Sequence, residues 1–216
     1  MTTTTAIGRR PVWAVAAMLC IAGVCGAAGA AEPEESVAPT EVIELFNGRD
    51  LAGWNTEGNA KWIVKEGAIV GTQGLNNAPG DLFTEAAYKD FEVKVQYKVQ
   101  WPCNSGVWFR YQAPNKAYQA DILEFKKPEC YSGTLYCPGK MFLAMNEDKT
   151  IVNQTGWNTI VIRAKGDHLQ IWLNDNQVAD VHDNTCEEGR VGFQIHAGAQ
   201  FEPMKIVIRE VLLKEI

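Results

Sequence analysis

From Trp157 to Asp183 the chain reads WNTIVIRAKGDHLQIWLNDNQVADVHD, and apolar and polar residues alternate nearly throughout. The alternation breaks at Lys165-Gly166-Asp167 and at Asn174-Asp175-Asn176, residues that suit tight turns. One strand therefore folds back on the next, twice. The same period of two recurs elsewhere. Phe91, Val93, Val95, Tyr97 and Val99 share one face of FEVKVQYKV, with Glu92, Lys94, Gln96 and Lys98 on the other. KWIVKEGAIVGT predicts a hairpin turning at Glu66-Gly67. GVWFRY, YQADILEF, RVGFQIH and KIVIREVLLKEI are further strands, and no stretch has the pattern of a helix of any length. Roughly a dozen short strands separated by Gly, Asn, Asp and Pro predict an all-β sandwich of two antiparallel sheets.

Parity along each strand selects the residues that face away from the core. Val191, Phe193 and Ile195 form an apolar row, which leaves Gln194 and His196 on the opposite face. Trp108 and Arg110 lie opposite Val107, Phe109 and Tyr111, while Gln119 and Asp121 lie opposite Ala120 and Ile122. His168, Gln170 and Trp172 lie opposite Leu169, Ile171 and Leu173. If these four strands are neighbours, that face is a polar trough with aromatic platforms. A sugar has C–H faces that stack on an indole and hydroxyls that pair with Gln, Arg, Asp and His. Trp172 beside Gln170 suits such a ligand, and it equally suits an aromatic covering a sheet beneath a loop.

Composition narrows the class. The chain has 216 residues, 46% hydrophobic and 21% charged, which is ordinary globular material. Arg9-Arg10, an apolar run from Val12 to Val24 and the small residues Ala28-Gly29-Ala30 have the shape of a secretory signal peptide cut after Ala30. Residues 31–40 read as a flexible acidic leader, and one domain runs from 41 to 216. Export to the periplasm or the exterior is expected, with no transmembrane segment after cleavage. Removing the signal peptide takes away two positive charges and no negative ones, so a net charge of −6 becomes −8. An acidic domain suits neither nucleic acid nor an anionic membrane surface, and a neutral partner fits better. Four cysteines remain, Cys103, Cys130, Cys137 and Cys186. In an exported protein they are expected to form disulfides in one of three connectivities, and Cys130 and Cys137 could staple one loop.

Local strings add a resemblance. LFNGRDLAGW (residues 45–54), NSGVWFR (104–110), YQADILE (118–124), GTLY (133–136), the stretch opening this section, GRVGFQIHAG (189–198) and KIVIREVLLKEI occur in this order over nearly the whole domain. The set resembles the bacterial 3-keto-disaccharide hydrolase family, also described as the 3-keto-glucoside 1,2-lyase and 3-keto-2-hydroxy-glucal hydratase domain. That resemblance implies a concanavalin A-like jelly-roll sandwich with the ligand on its concave sheet, and cleavage of 3-keto-glycosides. The C3 carbonyl acidifies the C2 proton, a base removes it, the C1 substituent leaves by β-elimination, and hydration completes a net hydrolysis.

The resemblance makes His196, Asp121 and Glu124 the candidate proton-transfer groups. Arg110, Trp108, Gln119, Gln170, Trp172, Gln194 and Tyr136 are the candidate substrate contacts. A divalent cation held by Asp121, Glu124 or His196 is a possible source of enolate stabilisation, with no cofactor otherwise implied. The chain departs from the family pattern at Gln119, where an acidic residue is commoner, at Cys137-Pro138, where another branch carries an acidic pair, and in the inserted KKPECYS. The alternative is a carbohydrate-binding module using the same trough without catalysis. A retaining glucanase fits less well, because Asp121 and Glu124 are three apart and point to opposite faces of a regular strand.

Overall fold

The computed structural model describes residues 41–216, so the expected signal peptide and leader lie outside the described residues. Fifteen strands make up the domain: β1 (Val42–Glu44), β2 (Trp54–Gly58), β3 (Lys61–Lys65), β4 (Ala68–Thr72), β5 (Gly80–Tyr88), β6 (Phe91–Gln100), β7 (Asn104–Ala113), β8 (Lys116–Lys126), β9 (Glu129–Cys137), β10 (Met141–Asn146), β11 (Asn158–Lys165), β12 (His168–Leu173), β13 (Asn176–His182), β14 (Gly189–Ile195) and β15 (Lys205–Glu215). They form two antiparallel sheets. The first runs β13-β12-β11-β6-β15-β4-β3, with β1 added against β15, and the second runs β10-β9-β8-β7-β14-β5-β2. Among the described residues no helix is long and apolar enough to cross a membrane.

The predicted turns form where the sequence placed them. Glu66 and Gly67 (φ 53° and 73°) close the β3–β4 hairpin, and Asn174 and Asp175 (φ 47° and 66°) close β12–β13. Both pairs have the positive φ that a two-residue turn matched to strand twist requires. The inner faces interdigitate as the alternation predicts. Phe91, Val93, Val95 and Tyr97 of β6 and Val191, Phe193 and Ile195 of β14 are all fully buried in one core.

Three expectations are corrected here. Parity identified a face but not a sheet. β12 pairs with β11 and β13 in the first sheet, whereas β7, β8 and β14 lie in the second. Gln170 and Trp172 therefore lie on the sheet opposite the trough. Gln170 donates to Asp180 at 2.9 Å in an exposed polar cluster with His168 and Gln177. Trp172 lies between Val161 and Gln177, only 4% exposed, and is a packing residue.

Arg110 also leaves the trough. Opposite β14 the register steps from Arg190↔Tyr111 to Gly192↔Trp108, so three steps on β7 face two on β14. The extra residue is a β-bulge, and Arg110 carries its strain at φ 49°. The bulge turns Arg110 away, fully buried. It donates to the carbonyls of Lys89 (2.8 Å), Gly166 (2.6 Å) and Cys186 (3.1 Å), and pairs with the Asp90 carboxylate at 3.1 Å. The same bulge brings Tyr111 onto the face of Trp108, their rings edge to face at 5.7 Å.

The cysteines are four buried free thiols and not two disulfides. Cys130 and Cys137 sit near opposite ends of the extended strand β9. At about 3.3 Å per residue their Cα atoms are on the order of 20 Å apart, far beyond the reach of a disulfide.

Alkylating the denatured protein without reductant should therefore label Cys103, Cys130, Cys137 and Cys186 alike. Any of the four left unlabelled and recovered in a disulfide-linked peptide would contradict the assignment of four free thiols. Trp172→Ala should lower stability by about 3 kcal/mol, as for a large core truncation, and leave ligand affinity as it was. Lost affinity with an unchanged melting temperature would restore Trp172 to a binding role.

Candidate functional site

The second sheet carries a pocket of about 410 Å³ on the face turned away from the core. Its floor is organised by register. Asp81 of β5 pairs with Gln194 of β14, Gln194 with Gly106 of β7, and Gly106 with Asp121 of β8, which forms one row across four strands. A parallel row runs Phe83, Gly192, Trp108, Gln119, Tyr136 and Phe142. A third begins where the His196 backbone N–H donates to the Asn104 carbonyl at 3.2 Å, with Asn104 opposite Leu123. Neighbouring strands lie about 4.8 Å apart, so Asp81 and Asp121 are about 14 Å apart at Cα, with room for a sugar ring between their side chains.

The glycine in that row has a specific use. A Cβ on Gly106 would come within 2.5 Å of Cγ and Cδ of Gln119, which fills the space above it. Gln119 is 3% exposed and its Nε2 has no hydrogen-bond acceptor. A buried amide donor without a partner costs free energy until a ligand oxygen or water satisfies it.

The two carboxyl groups of the row differ in environment. Asp121 is 3% exposed, and burial alone drives its pKa well above the ordinary carboxylate value. Asp81 is half-buried and accepts a hydrogen bond from the Trp108 indole N–H at 2.8 Å. Burial pushes its pKa up to about 6; the indole bond and nearby His196 oppose the rise, and Glu57 reinforces it. Burial favours the protonated acid at Asp121, while Asp81, brought to about 6, is a base poised close to neutral pH.

His196 stands exposed at the rim, its ring edge to face with Phe201 at 5.7 Å. Its Nδ1 lies 2.8 Å from the Ala197 carbonyl. A carbonyl can only accept, so Nδ1 carries the hydrogen and Nε2 of the neutral ring is an acceptor. The backbone around it is clamped by Gln73, whose Nε2 donates at 2.9 Å to the carbonyls of both His196 and Gly198.

Of the residues expected at the site, His196, Asp121, Trp108, Gln119, Gln194 and Tyr136 line the pocket together. Glu124 does not. It lies beyond the core end of β8, accepts from Gln154 at 2.9 Å, pairs with Lys149 at 3.2 Å, and lines a separate pocket. Among the described residues no three carboxylate, imidazole or thiol groups converge as metal ligands. Of Asp121, Glu124 and His196, the alternatives expected as cation ligands, Glu124 lies apart from the other two. Sequence reasoning missed Asp81, Asn104, Tyr111 and Phe142. Asp81 was within reach: Gly80-Asp81-Leu82-Phe83 alternates after a Pro-Gly turn, with Leu82 in the main core and Phe83 on the outer cluster. Tyr111 was hidden by the bulge.

Solved structures share this sandwich. A protein of Parabacteroides distasonis, provisionally named a glycosyl hydrolase, superposes with TM-score 0.60 at 21% identity, covering 81% of this chain and 94% of that one. The carbohydrate-binding module CBM66 of Bacillus subtilis does so with TM-score 0.53 at 17% identity, covering 76% and 96%. In sequence, a 3-keto-disaccharide hydrolase of Bacteroides thetaiotaomicron is 28% identical over 92 residues, 37% of this chain. The match spans only about a third of that relative, 32% of its length. Residues 41–214 match the profile of the 3-keto-alpha-glucoside-1,2-lyase-like domain, and the chain belongs to that family.

Proposed function

We propose that the chain cleaves 3-keto-glycosides in this pocket by elimination and hydration. The observation that carries the reading is the row Asp81–Gln194–Gly106–Asp121, with two carboxyl groups of unlike protonation facing one ring-sized space. Membership of the family and the name of the Bacteroides thetaiotaomicron relative support the substrate class.

In this mechanism the Asp81 carboxylate takes the C2 proton, and the electron pair moves onto the C3 carbonyl oxygen. Gln119 Nε2 donates to that oxygen, which gives the unpaired amide its partner. The enolate then reforms the carbonyl as C1=C2 forms and the C1–O bond breaks. The bond pair goes to the leaving oxygen, which takes the proton of Asp121. For hydration, the Asp121 carboxylate accepts a proton from water as its oxygen joins C1. Protonated Asp81 returns a proton to C2, and both groups are restored. Trp108 provides a ring face for the sugar, while Gln194, Asn104 and the His196 Nε2 contact its hydroxyls.

Two measurements follow. On a 3-keto-glucoside, kcat/KM should rise with pH through an acid limb near 6, the value to which burial brings Asp81. Asp81→Asn should abolish that limb and lower the rate at least about a hundredfold. A full rate in Asp81→Asn would move the base elsewhere, with His196 next in line.

Asp121 makes a different prediction. Its folded pKa lies above its unfolded value of about 3.8, so the folded state is favoured fully below 3.8 and loses stability as pH rises through the folded pKa. At neutral pH Asp121→Asn should therefore raise the melting temperature by about 2 °C or more while turnover collapses. A less stable, inactive Asp121→Asn would show the carboxyl to be a structural element. Tight binding of 3-keto-sugars by wild-type protein with no turnover would favour the non-catalytic carbohydrate-binding alternative.

A further inference from the structure

Resting on that reading of the site, we propose that the glycosides taken here carry an aromatic or alkyl leaving group, seated on an apolar wall at the β8–β10 end of the pocket. The pocket is chemically divided along the strand order. Its hydrogen-bonding side chains come from β5, β14, the start of β7 and the middle of β8: Asp81, Gln194, His196, Asn104, Gln119 and Asp121. Toward the other edge the lining changes to Leu123, Phe125, Tyr136, Pro138, Met141 and Phe142. In that half the side chains offer one oxygen, the Tyr136 hydroxyl, and Pro138 lacks even a backbone N–H.

The rings of the wall meet edge to face. Phe142 packs against Phe125 at 5.7 Å and 78°, and against Tyr136 at 6.3 Å and 66°. Tyr136 in turn reaches Trp108 at 6.5 Å. The wall is thus continuous with the indole that bonds Asp81. Two of its members are left open to water: Phe125 is 37% exposed and Met141 is 54% exposed. Apolar side chains exposed together at a pocket mouth mark a surface that a ligand covers. Methionine, with three rotatable bonds and a polarisable sulfur, adapts to rings of differing shape. A sugar as leaving group would lose water from its hydroxyls here and find one partner, a poor exchange. An aryl or alkyl group loses nothing of the kind.

This geometry also orients the substrate. The keto-sugar ring sits over the row from Asp81 to Asp121, and its C1 substituent projects past Asp121 toward β9 and β10. That places the scissile oxygen on the side of the proposed acid.

The test compares three 3-keto-glucosides that differ at C1: methyl, 2-phenylethyl, and a second glucose as in a 3-keto-disaccharide. Methanol and 2-phenylethanol are of similar acidity, so the ratio of those two kcat/KM values reports contact and not chemistry; the sugar hydroxyl is the more acidic leaving group, so the disaccharide is compared by binding. The 2-phenylethyl compound should exceed the methyl one by at least about tenfold, in keeping with burial of one phenyl ring. Phe142→Ala and, separately, Met141→Ser should reduce that ratio toward one. Equal rates for the methyl and phenylethyl compounds, a disaccharide that binds more tightly than the phenylethyl compound, or a ratio that survives both substitutions would each overturn the proposal. If none of the three is turned over, the elimination reading has failed, and calorimetric binding of the same compounds still decides this one. The 2-phenylethyl glucoside should then bind at least about tenfold more tightly than the methyl glucoside in wild type but not in Phe142→Ala, and equal affinities would overturn it.

Discussion

Asp121 sits in the floor of the second sheet, 3% exposed, and the loss of water around its carboxyl is what raises its pKa. Ionising a carboxyl in such a place costs several kcal/mol in the absence of a cation, so burial favours the protonated form. The neighbouring strand shows the other solution to the same problem. Arg110 is fully buried as well, but it is given three carbonyls and the Asp90 carboxylate, and remains a cation with its donors satisfied. Buried charge is compensated where the fold needs it and left uncompensated where a proton is to be held. The interleaved core of β6, β14 and their neighbours supplies the stability that this arrangement costs.

Register converts that property into a site. Antiparallel pairing of β5, β14, β7 and β8 puts Asp81, Gln194, Gly106 and Asp121 in line. The absence of a side chain at Gly106 opens the floor and gives Gln119 its position. The β7 bulge removes a cation from beneath the ligand and substitutes the Tyr111 ring, stacked on Phe83 at 4.0 Å, with Arg190 lying 4.5 Å over the Phe83 ring. One inserted residue therefore decides whether this part of the pocket is charged or aromatic.

The strand pattern and its turns were legible because period-two alternation reports burial directly, as FEVKVQYKV and the Glu66-Gly67 turn demonstrate. Six of the ten candidate residues gather in one pocket, five of them for the same reason and Tyr136 through the family resemblance. Alternation is silent on which sheet a strand joins, and Trp172 and Gln170 were misplaced on that account. It also assumes unbroken register, so the bulge at Arg110 reversed one residue and hid another. Glu124 belongs to a third kind: the family resemblance offered it although parity set it opposite Asp121, and it lies outside the pocket, as parity implies. Cysteine counting expected disulfides, yet seven residues of extended β9 hold Cys130 and Cys137 too far apart.

The central claim is that two carboxyl groups in one row hold their protons over different ranges of pH. An infrared titration reads this directly, with each carboxyl band assigned by difference against Asp81→Asn and Asp121→Asn. The account predicts that the Asp121 band remains that of a protonated acid well above the ordinary carboxylate range, while the Asp81 band converts to carboxylate near 6. An Asp121 band already ionised at pH 5, alongside Asp81, would contradict it.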